Sequence, residues 1–337
     1  MSRENIRLAL PSKGRMAELS FEFLEKCGLR VHRPNSRQYI ARIPMYPNVE
    51  VILQRPGDIA IGVRQGSLDF GMVGYDLHAE KNFGHEHKTL ILHDALGFGR
   101  CTLNFAAPNA LGIQSMDELR AYASKLADNG QPLRVATKFP KLTGAFLEQH
   151  AITPFRLIDA EGTLEIAPTI GFADVIVDLV SSGQTLRDNQ LCTLENGEIL
   201  RSQSMLIANR NALKTRPDVL AMAQILLENI EAYLRAKDSV MVVANMRGKS
   251  AELIAERMFN HSELSGLRGP TIAPIYTNNG DGHRWFSISI AIKKAEMTQT
   301  INALRSIGGS GVIVTPALYI FEEEPKRYRA MLDALEN

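Results

Sequence analysis

The chain has 337 residues, 45% of them hydrophobic and 22% charged, with a formal net charge of +1. That length holds two or three domains with full cores, and the balance is that of an ordinary globular protein. A net charge so near zero excludes a general pull toward nucleic acid or acidic membranes, so any anion site must be local. The start MSRENIRLALPSKGR puts charges where a signal peptide needs an apolar core. No apolar run approaches the roughly 20 residues a bilayer requires, so a cytoplasmic protein with no membrane partner is expected. Cys27, Cys101 and Cys192 are few, scattered and odd in number, which suggests neither a disulfide framework nor a zinc site.

In chain order, residues 6–10 read as an apolar strand, and PSKGRM then opens a helix stopped by Gly28. A strand over 48–53, a helix over 59–65 ended by Gly66, and a buried strand over 70–73 follow. This alternation implies an open, mostly parallel α/β sheet. Strands at 101–106 and 204–208 enclose a second α/β unit with its own strand (133–136) and helix (142–150). Two α/β lobes joined by two crossing strands form a cleft, in the manner of bacterial solute-binding proteins. Ligands of such sheets sit at the strand carboxyl ends. A long helix over 217–237 leads away, with Leu220, Ile225, Leu226, Ile230 and Leu234 on one face. Beyond it come strand 240–244, helix 251–258, strand 287–292, helix 297–307 and strand 312–314. This is a β-α-β-β-α-β order of the ferredoxin-like kind. Its glycine-rich turn before the last strand is similar to amino-acid-binding (ACT-like) regulatory domains. The expected division is lobe I over 1–102 and 204–237, lobe II over 103–203, and a regulatory domain over 238–337.

The densest chemistry lies in EIAPTIGFADVIVDLVSSGQTLRDNQL, residues 165–191. Ser181, Ser182, Gly183, Gln184 and Thr185 form a small, hydroxyl-rich turn with little bulk to shield its N–H groups, so several can converge on one anion. Asp178, just before it, suits a ribose diol, because one carboxylate accepts from two neighbouring hydroxyls. An acid followed by a phosphate-cradling turn is the logic of a site for a phosphorylated ribose. The plain alternative is an element end capped by Ser and Gly. At the other end of the chain, Lys13, Gly14 and Arg15 place positive charge and free N–H groups between the first strand and first helix.

Glu165, Ala167, Pro168, Gly171, Ala173, Asp174, Asp178, Val180, Ser182, Gly183, Thr185 and Leu186 meet, without a gap, the signature of the ATP phosphoribosyltransferase family. The chain closely resembles that family, which opens histidine biosynthesis. The basic turn, Arg55 before Asp58, the run Asp69-Phe70-Gly71-Met72-Val73-Gly74, Ala136-Thr137-Lys138-Phe139-Pro140-Lys141-Leu142 and the loop 270–274 match further family elements. The resemblance covers nearly the whole chain, since the family's long form carries a C-terminal regulatory domain of this size. It implies transfer of phosphoribosyl from phosphoribosyl pyrophosphate to N1 of ATP with Mg²⁺ present, in a dimer-to-hexamer homo-oligomer inhibited by histidine. Phosphoribosyl pyrophosphate would rest on Asp178 and on Ser181, Ser182, Gly183, Gln184 and Thr185. ATP would rest on Lys13, Gly14, Arg15, Arg55, Asp69 and Gly74, with Asp69 shaping the turn. Asp178 and Arg15 are the expected catalytic pair. Thr137 and Lys138 would face pyrophosphate. Histidine would lodge between two turns, with Thr271 and Ser310 as polar contacts and Leu267 as an apolar wall. Neither the Mg²⁺ ligands nor a general base is identified. Positioning and electrostatics suffice for this chemistry, with no covalent nucleophile.

Other motifs fail. Gly248-Lys249-Ser250 ends like a P-loop, but Val243 stands where the first glycine belongs. His85-Glu86-His87 has the wrong spacing for a helical metal pair. Trp285 and the other aromatics fit a core better than a stacking platform. A non-catalytic two-lobed solute or effector sensor would share the same sheet pattern, but a sensor of a neutral metabolite needs no anion sites on both lobes. A salvage-type phosphoribosyltransferase is disfavoured, because no adjacent acid pair opens the loop.

Overall fold

A computed structural model describes residues 4–35, 37–160, 162–276 and 284–336. Contacts group the chain into two units, Met1–Leu227 with Lys326–Asn337, and Glu228–Pro325.

The first unit opens with β1 (Ile6–Pro11), α1 (Gly14–Lys26), β2 (Ile40–Ile43), β3 (Tyr46–Gln54), α2 (Pro56–Gln65), β4 (Phe70–Gly74), α3 (Tyr75–Asn82) and β5 (Thr89–His93). β1 and β4 are almost wholly buried, as befits strands covered on both faces. α2 starts on Pro56, whose missing N–H costs nothing at that position, and stops at Gly66 in the left-handed region (φ 78°). β6 (Cys101–Pro108), α4 (Met116–Asp128), β7 (Leu133–Thr137), α5 (Pro140–Gln149), β8 (Phe155–Asp159), β9 (Val175–Val180), α6 (Gln184–Asp188) and β10 (Leu191–Ser202) form the second lobe. β11 (Ser204–Asn209) then returns to the first sheet, followed by α7 (Arg210–Thr215) and α8 (Pro217–Ala236).

Lobe I is a six-stranded sheet in the order β2-β3-β1-β4-β11-β5, and lobe II a five-stranded one in the order β10-β6-β9-β7-β8. β1 runs parallel to β3 and β4, and β7 parallel to β8 and β9. The apolar faces of β6, β7 and β9 bury Leu103, Phe105, Val135, Val175 and Val177 against α4 and α5. Ala9, Ile59, Val63, Val73 and Ile207 do the same in lobe I. This is the two-lobed α/β arrangement that the strand pattern implies.

The second unit continues with β12 (Ser239–Arg247), α9 (Ala251–Phe259), β13 (Thr271–Ile275), β14 (Trp285–Lys293), α10 (Met297–Ser306) and β15 (Gly309–Pro316). Its antiparallel sheet has the order β13-β14-β12-β15, the ferredoxin-like topology, with α9 and α10 packed over Val242, Ala244, Ile288 and Ile290. The last helix, α11 (Lys326–Glu336), groups with the first unit. Arg327 reaches Asp94 (2.6 Å) and Arg210 donates to the Ala334 carbonyl (2.6 Å). This departs from a third domain running to residue 337, because the C-terminal helix is tied to lobe I by ion pairing and capping contacts that apolar periodicity does not reveal. Among the described residues no helix is long and apolar enough to cross a membrane.

Candidate active site

The strand directions put the chemistry-bearing turns on facing edges. In lobe I, β1, β3 and β4 are parallel, so the residues after each emerge on one sheet edge: Lys13, Gly14 and Arg15 after β1, Arg55 after β3, and Gly74 at the end of β4. Lys13, Gly14, Arg15 and Arg55 are exposed. Gly14 adopts φ 72° in open space, which lets the chain turn sharply from strand into helix. Lys13 and Arg55 hold the N-cap positions of α1 and α2, and neither helix has a side-chain cap. Free N–H groups and cations therefore share this edge, the composition of an anion site.

In lobe II, Thr137 on β7 pairs with Val177 on β9, so Lys138 and Asp178 emerge side by side. Asp178 accepts the Leu179 N–H (2.8 Å). Burial pushes its carboxyl above the ordinary range; the Leu179 N–H and Lys138 oppose this, and Glu165 adds to it. Gly183 lies in the left-handed region (φ 70°), and a Cβ there would stand 3.1 Å from Arg187 Nη1. Arg187 braces the turn by donating to the Ser182 carbonyl (3.1 Å) and to Gln184 Oε1 (3.0 Å). Ser181, Ser182, Gln184 and Thr185 are exposed, with the Gln184 N–H turned to Ser182 Oγ (3.4 Å) and its Nε2 to Asp188 Oδ1 (2.6 Å).

The chain crosses between lobes twice, from β5 to β6 and from β10 to β11, and both crossings lie at these same carboxyl edges. The crossings are laced together: Ser204 N–H donates to Phe98 O (2.9 Å) and Leu96 N–H to Ser204 O (3.0 Å), while Tyr75 N–H ties the start of α3 to Gln203 O (3.1 Å). Arg100, Thr102, Val180, Ser181, Arg201 and Gln203 line a cavity of about 580 Å³ there. A cationic edge thus faces an edge bearing one acid and a donor-rich turn. Such a pair suits two phosphorylated substrates meeting in the middle.

The family model for HisG, ATP phosphoribosyltransferase, matches residues 55–232, and that for the HisG C-terminal domain matches 236–317. ATP phosphoribosyltransferase 2, chloroplastic, of Arabidopsis thaliana is 44% identical over 99% of this chain and 82% of its own. ATP phosphoribosyltransferase of Rhodopseudomonas palustris (strain HaA2) is 31% identical, covering 94% of each chain. The chain belongs to the ATP phosphoribosyltransferase family. It is the long form, with the C-terminal domain. A solved ATP phosphoribosyl transferase (HisG:HisZ) complex from Thermotoga maritima superposes at TM-score 0.52 and 26% identity, over 67% of this chain and 98% of that one.

Within this phosphoribosyltransferase, three site assignments need correction. Asp69 precedes β4 at the opposite edge of the lobe I sheet from Lys13 and Arg55. It is 1% exposed, accepts the Arg7 N–H (2.8 Å) and pairs with Arg216 (3.1 Å). Five residue steps, about 16 Å, separate it from Gly74, so it is a scaffold acid at the edge opposite Lys13 and Arg55. Thr137 is fully buried, and its Oγ1 accepts from Phe139 N–H (3.0 Å) and Thr143 Oγ1 (3.4 Å). Of the pair assigned to pyrophosphate, only Lys138 faces the cleft edge. In the C-terminal unit, Thr271 stands at one edge of the sheet and Ser310 at the other, since Thr271 pairs with Ser289 on β14 and Ser310 with Asn245 on β12. Three strand spacings, about 14 Å, separate them, beyond the reach of one amino acid. Ser310 also lies inside β15 rather than in a turn, and Gly311 (φ 60°) sits where the register with β12 shifts. Leu267 and Thr271 remain together beside β14, Leu267 donating to Ala291 O (2.9 Å).

Among the described residues no cluster of three or more His, Cys, Asp and Glu could hold a metal ion. Glu165 nevertheless stands near enough to Asp178 for its charge to raise the Asp178 carboxyl, so two acids lie beside the turn. That fits Mg²⁺, which keeps waters and takes substrate phosphates as ligands along with one or two carboxylates. Sequence reasoning passed over α3 entirely, and with it Asp76 and Glu80. Their i, i+4 spacing on a run without apolar periodicity was the available signal.

Proposed function

We propose that the family's reaction, phosphoribosyl transfer from phosphoribosyl pyrophosphate to N1 of ATP in the first step of histidine biosynthesis, runs between these two edges. The observation that carries the reading is the strand register. It brings Lys13, Arg15, Arg55 and Gly74 out on one edge, and Lys138, Asp178 and the turn 181–185 out on the edge the crossings join to it. The ATP phosphates rest on the cations and free N–H groups of lobe I. The 5′-phosphate rests on the backbone of Ser181, Ser182, Gly183, Gln184 and Thr185, and Asp178 accepts from the ribose hydroxyls. Adenine N1 attacks the anomeric carbon as its bond to pyrophosphate oxygen breaks, and the pyrophosphate leaves with the electron pair. Lys138 lies where that departing charge grows, and Arg15 holds the ATP that attacks. Mg²⁺ would be held by Glu165 or Asp178 together with the substrate, and would neutralise charge on the pyrophosphate. Catalysis is thus positioning plus fixed charge.

Histidine is assigned to the C-terminal unit as inhibitor, at the β14 edge near Leu267 and Thr271, in a homo-oligomer of dimer-to-hexamer size working in the cytoplasm. An effector acts at a distance only by favouring one global state. Thr271→Val should raise the histidine concentration for half-inhibition about tenfold by removing a hydroxyl contact. Ser310→Ala should leave it unchanged, and the opposite pattern would move the site to the other edge. For the activity itself, the protein is mixed with ATP, phosphoribosyl pyrophosphate and Mg²⁺. Phosphoribosyl-ATP should appear by mass spectrometry, and its absence would refute the reading.

A further inference from the structure

α3 belongs by sequence to lobe I, yet its contacts reach into lobe II. Leu77 packs against the apolar cores of both lobes. Asp76, at the helix start, accepts from Ser202 Oγ (2.5 Å), and Ser202 Oγ in turn accepts the Asp76 N–H (3.0 Å), tying the helix to the end of β10. One turn later Glu80, 2% exposed, extends its carboxylate to the first turn of α5. Oε1 accepts the Lys141 N–H (3.1 Å) and Oε2 the Leu142 N–H (3.0 Å).

The first turn of a helix leaves N–H groups without partners inside the helix. In α5 the N-cap residue Phe139 offers no side-chain acceptor, and Pro140 has no N–H. Lys141 and Leu142 therefore hold the donors that need satisfying, and the group that satisfies both comes from the other lobe. A carboxylate is also the favoured charge at a helix N-terminus. The turn so capped carries Lys138, which the register sets beside Asp178.

We propose that Glu80 is an interlobe positioning residue: by capping α5 from lobe I it fixes the spacing of the two cleft edges and the placement of the Lys138 turn for phosphoribosyl transfer. It touches neither substrate. Its effect passes through the helix it caps, with Leu77 supplying the apolar half of the same clasp. The inference rests on the reading of the cleft given above. Gln at this position would keep one acceptor oxygen and turn an amide N–H toward the second donor, so it makes half a clasp. Ala makes none.

The test is a kinetic double-mutant cycle on the full-length chain. Lys141→Pro removes one partner N–H from lobe II at a first-turn position that makes no bond within the helix. The expected result for Glu80→Ala is KM for both substrates raised about tenfold, with kcat per intact site changed less than about threefold, as for an equilibrium shifted away from the competent spacing. Glu80→Gln and Lys141→Pro should each show part of that rise. Glu80→Ala/Lys141→Pro should be no worse than Glu80→Ala, because both changes remove one interaction. Wild-type KM values in the variants, with only a lower melting temperature, would reduce Glu80 to a structural cap and overturn the proposal. Additive effects in the double variant would also overturn it. Should Glu80→Ala fail to fold, Glu80→Gln and Lys141→Pro still decide the matter. An inactive wild-type chain would instead sink the reading of the cleft, so the two failures are distinguishable.

Discussion

Asp69 in lobe I and Asp174 in lobe II are built into their sheets in the same way. Each directly precedes a central strand, donates its backbone N–H to the carbonyl of an arginine on the neighbouring strand, and accepts that arginine's N–H in its carboxylate. Asp69 takes the Arg7 N–H at 2.8 Å, and Asp174 the Arg134 N–H at 2.8 Å. Each also holds a guanidinium, Arg216 for Asp69 and Arg134 for Asp174. At the opposite edges the lobes diverge. Lobe I presents exposed Lys13, Arg15 and Arg55, while lobe II presents Asp178 and a backbone turn braced by Arg187. The far edges are equivalent scaffolding, and the near edges are where the two lobes present different chemistry. An acid in this fold is read by which end of its strand it occupies.

The largest effect expected sharpens the far side of the comparison. Asp69→Ala leaves the Arg216 guanidinium without its buried carboxylate and the Arg7 N–H without its acceptor. It should lower stability by about 2 to 3 kcal/mol in denaturant melts. KM for ATP should stay at the wild-type value, and a selective rise in that KM would return Asp69 to the cleft. Next comes lobe II, where the site is backbone and tolerates little displacement. Gly183→Val forces a side chain onto a φ of 70° and against Arg187. kcat/KM for phosphoribosyl pyrophosphate should fall on the order of 100-fold, as misplacement near 1 Å does. Lobe I, built from flexible exposed cations, should be more forgiving. Arg15→Glu should weaken ATP about tenfold by calorimetry, the size of one charge-assisted contact, and the loss should shrink as salt rises.

The smallest effect is in pH dependence. Asp178 must be ionised to accept from two hydroxyls, burial raises its pKa, and Lys138 lowers it. Lys138→Met therefore raises that pKa further, so the acid limb of kcat/KM for phosphoribosyl pyrophosphate should move to higher pH. Glu165→Gln removes a charge that raises the pKa, so the limb should move to lower pH. Shifts of the same sign in both variants would break the assignment of that limb to Asp178.

Sequence was legible where burial and periodicity coincide. β1, β4 and β7 are short apolar runs, and α2 has Pro and Gly at its ends, so they were found within a few residues. α3 was not, because its buried positions are Asp76, His78, Glu80 and Asn82. Polar residues at buried positions erase the 3.6-residue apolar signal, Asp76 and Glu80 turning to lobe II and His78 to its own lobe, so apolar periodicity does not reveal the element joining the lobes. His78 shows the cost: its Nε2 meets Thr89 Oγ1 at 3.1 Å, and burial depresses its pKa to about 4. β15 was misread at its start for another reason. Gly308 turns at φ 97°, but Gly309, Ser310 and Gly311 are already strand, paired in a register that glycine content conceals. The cleft residues were legible as motifs, whereas their grouping into two facing edges needed the strand pairing. That pairing removed Asp69 from the site and separated Thr271 from Ser310, while burial removed Thr137.

The division of labour between the two edges is tested most directly by crossing the variants with the substrates. Steady-state KM for ATP and for phosphoribosyl pyrophosphate is measured in Arg15→Glu and in Gly183→Val. The account predicts that Arg15→Glu raises KM for ATP about tenfold and leaves that for phosphoribosyl pyrophosphate within about twofold, with the reverse in Gly183→Val. Equal rises for both substrates in either variant, or the two patterns exchanged, would contradict it.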